Sequence, residues 1–534
     1  YTAAQIGDAY GMDTAWNAGD LGAGTTVALV ELEPFSASDV ASYQSCAGTN
    51  ATVQAIPVDG GSANCWQSGP SYDAQCGLED VLDIEDVAGL APAATIHVYE
   101  GPNTGTGLLD VYQSIVQSDV PVISTSWGAC EAFAGTGMLA AENTIFQEAA
   151  VQGEAVFAAA GDAGTDDCQT GGPRAVDDPA SQPFVTGVGG TSMPSDAAGY
   201  PQSVWNNSAG AGGGGVSRDW ALPSYQSGFA RAQSAIGCSL VPGGASTSTN
   251  CREVPDVSAN ADPLTGYDIY WTPPPQSSSP GGWIAAGGTS AAAPTWASLV
   301  ALADSSSACT AAGIRVGFAN ALLYGLPASD FNDVTQGGNG YDGLAGYGAG
   351  TGYDMASGRG TPNGAALLPA LCGTSATVTA TSTPTTITTL PSRPEPTTTT
   401  APPTTTTAPP TTTTAPPTQT SPVPQPGRTD VVRFAGHRAR RVARVGRWVR
   451  LVLRAWDRGG LRLFYSSRRL PRGLRINHRT GLISGRPRRA GRDVSSITAR
   501  DSRGDSETIV VRWLVRRRLA RAAPSHRRGR LGTL

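Results

Sequence analysis

The sequence predicts an α/β fold, a parallel sheet flanked by helices, joined through a low-complexity linker to a small all-β module. Three observations predict it. Through residues 1–372, apolar runs of strand length alternate with alanine-rich helical stretches, the pattern of strand–helix–strand units. Residues 373–427 repeat a Pro-Thr-Thr-Thr-Thr-Ala-Pro block, which favours extended chain and makes no core. From 428 to 519, short alternating segments separated by turn residues replace the helical pattern, and 520–534 is an Arg-rich tail.

Within 1–372, strands are expected at 26–32, 95–99, 120–126, 154–159 and 184–188, and helices at 37–46, 77–90, 107–117, 137–151 and 289–304. The helix at 77–90 carries Glu79 and Asp83 one turn apart, with Asp86 following on the same side. Stacked like charges repel; taken alone the stretch reads most simply as an exposed acidic face. After the strand at 154–159 comes Gly161-Asp162-Ala163-Gly164, a glycine-flanked aspartate that a plain turn also explains. The segment Gly287-Gly288-Thr289-Ser290 places Ser290 at a strand-to-helix corner. A helix N-terminus favours developing negative charge there, although Ser and Thr are also common N-caps. Pro294 is expected to fall among the first helical positions, where a missing N–H costs little.

Histidine narrows the chemistry. His97 is the one histidine of 1–372 and lies inside an expected strand. It lacks the setting of a base facing a serine, so a Ser-His-Asp triad has no candidate base. If Ser290 is a nucleophile, a carboxylate must activate it.

Charge is divided unevenly. From residue 428 onward stand 30 Arg and 6 acidic residues, before it 7 Arg and 37 acidic residues, and there is no lysine; the net of −6 is therefore −30 plus +24. The acid-rich front would be self-repelling at neutral pH and relieved as carboxylates protonate, which suits work in acid, although a merely soluble surface explains it as well. All nine cysteines, Cys46, Cys65, Cys76, Cys130, Cys168, Cys238, Cys251, Cys309 and Cys372, precede the linker without a C-x-x-C pair, which argues for disulfides and secretion over a zinc site. Cys238–Cys251 and Cys309–Cys372 are the favoured pairs, and the odd count leaves one thiol free. The sequence has no apolar run long enough for a transmembrane segment. It begins at Tyr1, so a signal peptide and any pro-segment are expected to be missing or removed.

The ordered set Glu79-x-x-x-Asp83, Ser124-Thr125-Ser126-Trp127-Gly128, Gly161-Asp162-Ala163-Gly164 and Gly288-Thr289-Ser290-x-x-x-Pro294 resembles the sedolisins, the serine-carboxyl peptidases. Further matches are 186–191, 254–259, Asp333-Val334-Thr335 and Gly352-Tyr353-Asp354, so the resemblance covers essentially all of 1–372. It implies a subtilisin-like fold with about seven parallel strands. It also implies Ser290 as nucleophile, Glu79 as its general base, Asp83 as the group orienting Glu79, and Asp162 in the oxyanion hole. Glu31 and Trp127 would extend the acidic network, and Ser126 and Gly128 would pair with an extended peptide substrate. One structural Ca²⁺ is implied through the side chains of Asp333 and Asp354 and the carbonyls of Val334, Gly350 and Gly352. A pro-segment would serve as inhibitor and chaperone. The glycine run 210–215 and Pro273-Pro274-Pro275 read as flexible or exposed loops near the cleft.

In the C-terminal part, strands are expected at 431–434, 448–453, 461–465 and 508–515, with a turn at 457–460. The run from Leu470 to Pro487 resembles the Ig-like and cadherin-like modules of bacterial surface proteins, which implies a β-sandwich over 428–519. Its Arg excess suits an anionic polymer, while replacement of all lysine by arginine through compositional bias explains it equally well. The reading is a secreted, acid-acting serine-carboxyl endopeptidase. A tripeptidyl-peptidase of the same family, a neutral subtilisin-type peptidase and a non-catalytic surface-binding protein are the alternatives.

Overall fold

The computed structural model describes residues 1–66, 73–169, 172–194, 201–229, 231, 238, 250–277, 279 and 281–373. In the C-terminal part it describes 432–434, 438–447, 449–452, 455–457, 463–478, 481–500 and 506–517. The linker beyond its first residue, the tail 520–534, the turn at 458–460 and the strand positions 431, 448, 453, 461 and 462 lie outside the described residues. Chain contacts separate two units, Tyr1–Thr379 and Ala380–Leu534.

Seven parallel strands form the first unit's central sheet. Their spatial order is Val257–Asn260, Thr186–Ser192, Ala155–Ala159, Val122–Thr125, Thr26–Glu31, Thr95–Glu100 and Thr52–Pro57. Ser203–Val204 adds an antiparallel pairing beside Thr186–Ser192. The period of two decides which residues face which layer. Val27 and Leu29 join one apolar cluster, with the helices Leu78–Leu90 and Thr289–Ser305. Ala28 and Val30 join the other, with Gly105–Gln117 and Thr136–Gln152. Both faces are covered, which is why the strands read as continuous apolar runs.

Each expected strand and helix of this unit is present with ends shifted by a few residues. The sequence reading missed the edge strand Thr52–Pro57, the strand Val257–Asn260, the helices Ala3–Ala9 and Asp13–Ala18, and the hairpin Tyr267–Trp271 with Gly282–Ala286. His97 pairs in register with Ala28 and Gln54, a structural strand position as expected. Arg252 and Asp256 are fully buried, 2.6 Å apart, and the guanidinium also donates to the carbonyls of Ala180, Ser181 and Val185. That satisfies its donors, the condition under which a buried pair is tolerated.

Four disulfides cross the unit: Cys65–Cys76, Cys130–Cys168, Cys238–Cys251 and Cys309–Cys372. The last two are the pairs favoured from sequence, and Cys46 is the free thiol. Among the described residues no helix is long and apolar enough to cross a membrane.

The second unit contains a four-stranded sheet, ordered Arg438–Arg444, Ser506–Arg516, Gly491–Arg500 and Phe464–Arg468, and a three-stranded sheet of Val449–Val452, Leu482–Gly485 and Leu474–Ile476. Val432–Phe434 pairs with Ala455–Asp457. Ile483, Ile497, Ala499, Ile509, Val511, Trp513 and Val515 form its core.

Candidate active site

Three neighbouring strands deliver the expected groups at their carboxyl ends. Thr26–Glu31 ends in Glu31, Val122–Thr125 leads into Ser126 and Trp127, and Ala155–Ala159 leads into Asp162. Chain order turns outward in opposite directions at the first two of these strands, the place where open α/β sheets bind ligands. The helices beginning at Leu78 and Thr289 add Glu79, Asp83 and Ser290.

The helix Leu78–Leu90 is not an exposed acidic face. Asp80, Asp83 and Glu85 are fully buried and Asp86 nearly so. Its start is set by Gly77, left-handed at φ 70°, where a Cβ would come within 2.8 Å of the Pro34 carbonyl; Gly77 N–H donates to Glu33 Oε2 at 2.8 Å. Glu79 stands at the second helical position. Its carboxyl pKa is raised to about 7, first by burial, then by Asp162 and Glu33, against the hydroxyls of Ser290 and Ser126 that favour the charged form. Asp83 is pushed well above the ordinary carboxyl value by burial and by Glu79 and Asp86, against the Ser126 hydroxyl. Ser126 Oγ lies 2.7 Å from Asp83 Oδ2.

Trp127 Nε1 donates to Glu31 Oε2 at 2.8 Å. Burial, then Asp80 and Asp83, raise Glu31 well above its usual pKa. Asp80 was not singled out from sequence. It is raised likewise, by burial and then by Glu33 and Glu100, and both its oxygens are buried without hydrogen-bond partners. Among the described residues no ion pair reaches Glu31, Glu33, Glu79, Asp80 or Asp83. A cluster of carboxyls without a cation holds protons to unusually high pH.

Pro294 differs from its sequence reading. The helix starts at Thr289, so Pro294 is its sixth residue and lies beyond the first four N–H groups. The carbonyl of Ser290 therefore lacks its regular helical donor four residues on. Ser126 Oγ stands 3.1 Å from that oxygen. Thus the Ser126 side chain is engaged within the protein, whereas Gly128 is exposed.

Asp162 Oδ1 accepts from Thr289 N at 2.7 Å and from Thr289 Oγ1 at 3.0 Å. Gly288, at φ 123°, is required there because a Cβ would sit 2.8 Å from Asp162 Oδ2. Although Asp162 is exposed at the cleft, loss of water around the carboxyl itself raises its pKa, against the two Thr289 hydrogen bonds. The glycine run beneath it is neither flexible nor exposed: 210–215 is buried, and a Cβ at Gly213 would run into the Ala160 carbonyl. Main-chain bonds from Ala211 N to Asp162 O (3.0 Å) and from Gly213 N to Gly161 O (2.8 Å) fix the loop. In the proline run, Pro274 is buried and Pro275 exposed.

The residues expected to hold calcium come together in part. Gly352 N donates to Asp333 Oδ2 at 3.0 Å, and Gly350 N to Asp354 Oδ2 at 2.8 Å. Ser357 Oγ links Asp354 Oδ1 at 3.0 Å with the Val334 carbonyl at 3.4 Å. An all-oxygen donor set of two carboxylates and main-chain carbonyls fits a hard cation. Glu33 lies near Cys65 and Cys76, but those sulfurs are joined to each other and are not ligands.

A family model described as the subtilase family matches residues 62–322. Kumamolisin of Bacillus sp. (strain MN-32) is 36% identical over 361 residues, 66% of this chain and 60% of that protein. Tripeptidyl-peptidase sed1 of Aspergillus fumigatus is 31% identical, over 51% of this chain and 43% of its own length. The chain thus spans about half of the curated relatives it matches. A solved structure of Pseudomonas sedolisin, a serine-carboxyl proteinase complexed with two molecules of pseudo-iodotyrostatin, superposes with a TM-score of 0.57 at 30% identity, covering 69% of this chain and 96% of that one. The serine helix, its carboxyl-bearing neighbour and near-complete coverage of that structure lead to one conclusion: this chain belongs to the sedolisin family of serine peptidases.

Proposed function

We propose that the chain is an acid-acting serine-carboxyl endopeptidase. The carrying observation is the pair of half-buried Glu79 and fully buried Asp83 beside Ser290, with the one histidine of this unit held in a strand. Glu79 removes the Ser290 proton as Oγ attacks the peptide carbonyl, forming the tetrahedral adduct. Protonated Asp162 donates to its oxyanion. The proton on Glu79 passes to the leaving amine as the C–N bond breaks, giving an acyl-enzyme and a new amino terminus. Water then attacks the ester, Glu79 takes its proton, and Ser290 leaves with that proton as the acid product departs.

The two carboxyls set opposite limits: Glu79, raised to about 7, must be ionised at least in part, which bounds the rate as pH falls, and Asp162 must hold its proton, which bounds it as pH rises. Rates measured from pH 2 to 8 on a peptide blocked at both ends are expected to peak in acid and to fall as Asp162 ionises. A neutral optimum overturns the reading. Similarity to a tripeptidyl-peptidase supports a second reading, release of tripeptides from a free amino terminus; cleavage only of unblocked peptide would select it.

Asp333, Asp354 and the carbonyls of Val334, Gly350 and Gly352 would hold one Ca²⁺, which supplies rigidity to a glycine-rich segment. Four disulfides support an oxidising, extracellular location. A pro-segment acting as inhibitor and chaperone, a spacer at 373–427 and a β-sandwich at 428–519 complete the proposed chain. Exposed Arg444, Arg468, Arg492, Arg500, Arg512 and Arg516 on the four-stranded sheet support an anionic polymer as the second unit's partner.

A further inference from the structure

Ser126 has one hydroxyl proton and two acceptors at hydrogen-bond distance, with the Glu79 carboxyl as a further, weaker partner. Asp83 Oδ2 lies 2.7 Å away and the Ser290 carbonyl 3.1 Å away. An ionised carboxylate only accepts. With Asp83 ionised, the Ser126 proton goes to Asp83, and the Ser290 carbonyl faces only the lone pairs of Oγ. That carbonyl lacks the regular helical donor four residues on, because residue 294 is proline. With Asp83 protonated, Asp83 donates to Ser126 and Ser126 donates to the Ser290 carbonyl. Only this second arrangement lets Ser126 bond both Asp83 and the Ser290 carbonyl.

We propose that Ser126 is a positioning residue that passes the proton state of Asp83 to the main chain of Ser290, so that the first turn of the serine helix is fixed only while Asp83 holds a proton. The inference rests on Ser290 being the nucleophile. Its geometry can be tested without activity.

The surroundings favour the proton-bearing state. Glu79 and Asp86 face Asp83 from its own helix and Glu31 from the first strand. The serine helix brings no titratable side chain before Asp304, and the segment 122–128 brings none. Every charged neighbour is therefore acidic and acts in the same direction. Asp83 is also fully buried, so bulk water does not solvate its charge.

The test is a double-mutant cycle on the full chain. Infrared titration follows the protonated-carboxyl band that Asp83→Asn removes. Pro294→Ala supplies an N–H to the Ser290 carbonyl, relieving the ionised state, so the Asp83 midpoint is expected to fall by about one pH unit. In a Ser126→Ala background the same Pro294→Ala change is expected to leave the midpoint where it was. No shift in the first pair, or an equal shift in both, overturns the proposal. Kinetics give a second reading. Ser126→Ala is expected to lower kcat roughly tenfold with KM nearly unchanged. Ser126→Thr should restore the rate, and Ser126→Ala with Pro294→Ala should recover part of it. A double variant no faster than Ser126→Ala counts against the relay. An inactive wild-type chain with an intact midpoint cycle would remove the proposed function but retain the link.

Discussion

The two units use charge in opposite ways. In the first, acidic side chains lie inside: Glu31, Asp80, Asp83, Glu131 and Asp256 are 2% exposed or less. In the second, arginines lie outside. Arg492, Arg500, Arg512 and Arg516 alternate with the buried Ser495, Ile497, Ala499, Ile509, Val511, Trp513 and Val515. The register even places Arg444 beside Arg516, a like-charge neighbour that costs stability. A buried carboxyl can change its proton state and so do chemistry. An exposed guanidinium remains charged and attracts.

The largest expected effect lies inside the first unit. Glu79→Gln should reduce acid peptide hydrolysis on the order of 10⁴-fold or more, independently of salt, since it removes the proposed base, which would act as one unit with Ser290. A fully active variant would place the chemistry elsewhere. Next, Asp162→Ala should cost about 10²–10³ in turnover and weaken the fall in rate toward neutral pH.

Stability should also follow the buried carboxyls. Asp304 is raised to about 6, Glu131 to about 7 and Glu85 to about 9, each chiefly by burial. A folded pKa above the unfolded value of about 4 means stabilisation that is complete below that value and lost as pH rises through the folded one. Calorimetric Tm for the first unit should therefore decline between pH 4 and 9. A flat or rising Tm would show that these groups are hydrated.

The smallest effect belongs to the second unit. Arg512→Gln with Arg516→Gln should leave peptide hydrolysis unchanged while weakening binding to duplex DNA, used as a test polyanion. The slope of log affinity against log salt should fall by about 0.9 for each phosphate contact removed. Binding that ignores salt would separate the arginines from any electrostatic role.

Much of this contrast was legible in composition, because it rests on residue counts on either side of the linker. The central strands and helices were legible in period. Thr52–Pro57 was not, since this edge strand is largely exposed and carries no continuous apolar run. The Glu79–Asp83 spacing was visible, but burial of four acids on that helix was not, because sequence alone makes charge look like surface. Asp80 escaped for the same reason. The run at 210–215 resembled slack chain, as glycine suits both freedom and close backbone approach.

That glycine ledge has a consequence of its own. Peptide planes rest directly on one another below Asp162, with no intervening rotamer to shift. As the surrounding acids gain or lose protons, their side chains can swing without carrying this acid along. The proposed oxyanion donor is thus anchored to main chain that does not titrate.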